Sequence, residues 1–98
     1  MSNVRPPAVA NAFYPGHPAL LGSTVDQLLA AATVVAAPPP KALIVPHAGY
    51  IYSGSTAALA YATLKPLRQQ ISRVILLGPT HRVAVNGLAL PESSAFAT

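Results

Sequence analysis

Two histidines stand out by what precedes them. His47 follows Ala42-Leu-Ile-Val45 and Pro46, an apolar run broken by proline. His81 follows Val74-Ile-Leu-Leu77, then Gly78-Pro79-Thr80. Twice, a hydrophobic segment runs into a Pro-containing turn that ends on an imidazole. Neutral imidazole is the commonest protein metal ligand. Parallel strands lie about 4.8 Å apart, and ligands of open α/β folds bind outside their C-terminal ends. Two imidazoles at such ends would converge on one point, which makes His47 and His81 the candidate metal ligands. They do not complete a site by themselves: a carboxylate, a third histidine or a thiolate is required. Asp26 and Glu92 are the only acids, and neither follows either run; there is no cysteine. Tyr50, just beyond His47, is the candidate substrate-contacting phenol. Tyr52 is expected to pack beside the sheet. His17 lies in a Pro-Gly-His-Pro turn and is expected to be an exposed loop residue.

These groups need elements to hold them. Arg5-Pro6-Pro7 excludes a helix, so residues 1–17 are expected to form an extended arm anchored by Phe13 and Tyr14. Residues 18–32 read as a helix. Pro18 suits its first turn, and Leu21, Val25, Leu28, Leu29 and Ala32 recur at helical spacing on one face. Asp26 and Gln27 mark the wet side. Pro38-Pro39-Pro40 is a connector that no helix crosses. Residues 42–45 and 73–77 are apolar throughout, as in parallel strands covered on both faces. A helix is expected at about 54–65, capped by Ser53 or Ser55, with Ala57, Ala60, Tyr61 and Leu64 buried and Pro66 at its end. Strand, helix, strand makes a βαβ unit with a right-handed crossover. Asn86-Gly87 between short apolar runs reads as a hairpin. The fold class is therefore α/β: a parallel or mixed sheet with helices on both faces.

Composition limits the partners. Ninety-eight residues make one small domain or a portion of one. Hydrophobic residues are 52% of the chain and charged residues 8%, against about 25% charged in an average protein. So little charge leaves much surface to be covered by further sequence or by an oligomer. The net charge of +4 comes from scattered basic residues with no aromatic interleaving, so nucleic acid is not expected as a partner. Apolar stretches stop well short of the roughly 18 residues of a membrane span. The N-terminus lacks the apolar core of a signal peptide. A cytoplasmic location is the expectation.

Three motifs carry a resemblance. Arg5-Pro-Pro-Ala-Val-Ala with Phe13-Tyr14-Pro15, Pro46-His47-Ala48-Gly49-Tyr50-Ile-Tyr52-Ser53-Gly54, and Leu77-Gly78-Pro79-Thr80-His81 closely resemble the Memo family. That family includes the bacterial and archaeal Memo-like proteins of the AmmeMemoRadiSam system protein B type. The match runs through residues 1–98 but covers only the N-terminal third of the family's length, so the chain is expected to be an incomplete portion of such a domain. The resemblance implies a fold similar to class III extradiol dioxygenases, with iron or copper as the metal. It also implies that His47 and His81 are two of the ligands, and that a further histidine and a cysteine come from later sequence. Two functions follow from it: metal-dependent redox chemistry of the dioxygenase type, or a non-catalytic cleft for a peptide or small molecule.

Overall fold

A computed structural model describes residues 3–98. The chain forms two compact units, one of Ala8–Ile71 and one joining Met1–Pro7 to Ser72–Thr98.

The Ala8–Ile71 unit is helical. Helix α1 spans Pro18–Ala31, with His17 at its N-cap and proline in its first turn. The apolar face predicted by spacing is the packed one. Leu21, Val25, Leu28, Leu29 and Ala32 are half-buried, while Asp26 and Gln27 are exposed. β-branched Thr33-Val34-Val35 follows, and then the triple proline, which cannot propagate a helix. Helix α2 spans Tyr50–Tyr61 and tightens into a 3₁₀ helix at Ala62–Leu67 that contains Pro66. It therefore starts earlier than expected. Its buried residues are Ser53, Gly54 and Ala58, with Ala62 next along. Gly54, Ala58 and Ala62 make a small-residue row at i, i+4, i+8. The row lets α1 come close: a Cβ on Gly54 would lie 3.1 Å from Leu28 Cδ1. The expected stripe at Ala57, Ala60, Tyr61 and Leu64 is rotated, and Tyr61 is exposed. Lys65 Nζ donates to the Leu29 carbonyl at 3.2 Å, which also accepts from Ala32 N–H at 3.3 Å, placing a cation at the C-terminal end of α1.

The other unit holds a two-stranded parallel sheet. Strand β1, Val4–Arg5, pairs with β2, Ala95–Phe96, in the register Val4 to Ala95 and Arg5 to Phe96. Ser94 donates to the Asn3 carbonyl from its N–H at 2.8 Å and from Oγ at 3.0 Å. Ala97 N–H donates to the Arg5 carbonyl at 2.9 Å. The Arg5 guanidinium sits 5.2 Å from the centre of the Phe96 ring, a cation–π contact.

The chain is thus α/β with a parallel sheet, but the strands are not the expected ones. Among the described residues, 42–45 and 73–77 enter no ladder. A strand exists only where its N–H and C=O groups find a partner, and an apolar pattern alone supplies none. Segment 73–77 stands open to solvent instead, while in 42–45 Leu43 and Val45 are half-buried and Ala42 and Ile44 are exposed. Ile44 is 100% exposed, and Val74 to Leu77 are 73–82% exposed. The hairpin at Asn86-Gly87 is also absent from the described residues. A type I′ turn needs positive φ at both central residues. Gly87 has it at 76°, but the non-glycine residue with positive φ is Asn11, not Asn86.

Candidate functional site

The Pro46-to-Gly49 turn delivers His47 and then starts α2. Gly49 is the N-cap. Its carbonyl accepts from the N–H groups of Tyr52 at 2.9 Å and Ser53 at 3.1 Å. Ser53 was expected to cap from outside the helix. It sits instead inside the first turn, buried, with Oγ donating back to the Ala48 carbonyl at 2.8 Å. That bond ties the His47-bearing turn to the helix.

The arm supplies the missing cap. The first N–H groups of a helix lack intrahelical partners. Tyr50 N–H donates to the Phe13 carbonyl at 2.8 Å. The approach is close: a Cβ on Gly49 would sit 3.4 Å from Phe13 Cα and O. Tyr14 adds its ring, 5.9 Å from that of Tyr50 and tilted by 41°, an aromatic pair geometry. Phe13 and Tyr14 therefore anchor the arm as expected.

The arm is itself folded into a tight loop. Ala12 and Phe13 donate to the Val9 carbonyl at 3.1 and 2.8 Å, and Asn11 N–H donates to the Tyr14 carbonyl at 2.7 Å. Asn11 takes φ 65°, and its Oδ1 accepts from Gly16 N–H at 2.9 Å.

Loop, α1 and the start of α2 line a half-open cavity of about 430 Å³. Its walls include Phe13, Tyr14, Leu20, Leu28, Tyr50 and Tyr52, with Asn11 and Thr24 as side-chain polar groups. A few polar groups on an apolar wall are what small-molecule sites present. Tyr50 is half-buried in it. Tyr52 does not pack beside a sheet; it is 84% exposed at the same cavity. Leu20 and Leu28 were not singled out as cavity walls from the sequence. The local signals were the aromatic Phe13-Tyr14 pair and Tyr50.

His47 is exposed in the Ala8–Ile71 unit, and His81 is exposed in the other unit, in a bend after Thr80. His17 is exposed, as its turn predicted. Among the described residues no group of three or more His, Cys, Asp or Glu is arranged to hold a metal ion. These donors thus do not make up a complete ligand set among the described residues. No helix among the described residues is long and apolar enough to cross a membrane.

The sequence model of the Memo-like protein family matches residues 5–98. A MEMO1 family protein of Aquifex aeolicus is 43% identical over 90 residues, which are 92% of this chain and 30% of that protein. Protein MEMO1 of Xenopus laevis is 36% identical over 89 residues, 91% of this chain and 29% of that protein. Protein memo-1 homolog of Caenorhabditis elegans is 48% identical over 58 residues, 59% of this chain and 16% of that protein. The chain thus spans 30% or less of the length of these three relatives. No solved structure gives a significant match.

Proposed function

This chain belongs to the Memo-like protein family, and from that membership we propose that it carries part of a ligand cleft whose metal donors include His47 and His81. Tyr50 is the substrate-contacting residue of that cleft. The observation that supports it is the 430 Å³ cavity walled by Tyr50, on the helix that His47 leads into. His47 and His81 supply two imidazole nitrogen donors. The remaining donors belong to sequence of the longer protein, since two imidazoles do not close a site. Iron or copper held there would supply dioxygenase-like redox chemistry, in a dioxygenase-like α/β fold. The protein acts in the cytoplasm.

A second reading has its own support. The cavity lining is mainly apolar and aromatic, with Phe13, Tyr14, Leu20, Leu28, Tyr50 and Tyr52, a surface suited to holding a ligand by packing. On this reading the same cleft is a non-catalytic site for a peptide or small molecule.

The test uses the full-length Memo-like protein. Stoichiometric iron or copper that falls in His47→Ala and His81→Ala, with oxygen uptake on a catechol, supports the redox reading. Ligand binding that survives complete metal removal supports the second. Unchanged metal content in both histidine variants would refute their role as ligands.

A further inference from the structure

Asn86-Gly87 takes no part in the cleft. We propose that it is a site of spontaneous succinimide formation, at which Asn86 converts to aspartate and isoaspartate. Both residues are exposed and lie outside every helix and ladder among the described residues. Gly87 sits at φ 76°, and a Cβ built on it would meet nothing within 4 Å. Glycine allows the close approach the reaction needs, since it has no Cβ to block its own nitrogen.

The chemistry closes with water as the only co-reactant. Hydroxide or water takes the proton from Gly87 N as that nitrogen attacks Cγ of Asn86. The N–Cγ bond forms, the Cγ–Nδ2 bond breaks, and Nδ2 leaves as ammonia after gaining a proton from solvent. Water then adds to one of the two imide carbonyls. Opening at one restores the backbone with an aspartate side chain. Opening at the other routes the backbone through the former side chain.

The other two asparagines are internal controls. Asn3 is followed by Val4, whose branched Cβ crowds the attacking nitrogen, and its carbonyl is held by Ser94. Asn11 is fixed at both ends: its N–H binds the Tyr14 carbonyl and its Oδ1 accepts from Gly16. Conversion at Asn86 replaces a neutral amide by a carboxylate. The net charge of +4 falls by one, and the unit that carries His81 gains a second acid beside Glu92.

The purified chain is incubated in mildly alkaline buffer and followed by peptide mapping and isoelectric focusing. Conversion is expected at Asn86 ahead of Asn3 and Asn11, faster as pH rises, with an acidic band of one charge less. Gly87→Ala is expected to remove that lead. The same peptide is followed in a urea-unfolded sample as reference. Strong protection of Asn86 in the folded chain relative to that reference overturns the proposal, as does an unchanged rate in Gly87→Ala.

Discussion

Asn11 and Gly16 show how one residue pair sets the arm that meets α2. Asn11 stands at φ 65°, a left-handed conformation that asparagine tolerates better than most residues. Its Oδ1 then reaches Gly16 N–H. The contact leaves no room for a side chain, because a Cβ on Gly16 would lie 2.6 Å from Asn11 Oδ1 and Nδ2. Gly16→Ala must therefore push the amide away and break the hydrogen bond. The expected loss is about 1 kcal/mol, read as a lower midpoint in urea unfolding; an unchanged midpoint would show that the loop does not depend on this contact. Tyr50 separates packing from binding in the same region. Tyr50→Phe keeps the ring beside Tyr14 and removes only the hydroxyl. Stability should stay within about 0.5 kcal/mol, while ligand affinity of the longer protein drops if the phenol donates to the ligand. Tyr50→Ala should lose both, including about 0.5–1.5 kcal/mol of ring pairing beyond the buried area.

Helix α1 offers a cleaner measurement. Gly22 is exposed in its interior, and a Cβ there meets nothing within 4 Å. Glycine in such a position costs roughly 1 kcal/mol relative to alanine. Gly22→Ala should raise stability by about that amount in thermal or urea melts, and a loss would mean that the glycine serves a contact made elsewhere. The face of α1 was legible in the sequence because it is set by local periodicity. Leu21, Val25, Leu28 and Leu29 recur at helical spacing, and that property needs no partner to be read. The start of α2 was not legible. Local capping rules pointed to Ser53 or Ser55, but the cap at Tyr50 N–H is the Phe13 carbonyl, a contact between segments far apart in sequence. The site divides the same way. Tyr50 was visible as a candidate from its place beside His47, whereas Leu20 and Leu28 became cavity walls only through the packing of α1 on α2. The strands at 42–45 and 73–77 went unformed for a complementary reason. Apolar pattern reports what a segment would do when covered, and ladder pairing needs a neighbour that the pattern does not name.

At the scale of the molecule, Val74-Ile75-Leu76-Leu77 stays 73–82% exposed. Four adjacent large apolar residues with this exposure form the kind of surface that soluble monomers rarely leave open. They also make a short β-prone, uncharged run, the signature of self-pairing segments. This chain spans 30% of its Aquifex relative, so the longer family members have ample further sequence to cover such a run. We expect that sequence to pack on it. A single substitution then has opposite effects in the two contexts. In this chain, Ile75→Lys places a charge on an exposed segment, so sedimentation or light scattering should report less self-association with little change in helix content. In a full-length Memo-like protein the equivalent change buries a cation and removes a packed side chain. It should cost at least about 3 kcal/mol, seen as a lower melting temperature or as insoluble expression. A substitution that is silent in the full-length protein would show that 73–77 remains a surface segment there too, and that its apolar character serves something other than the core.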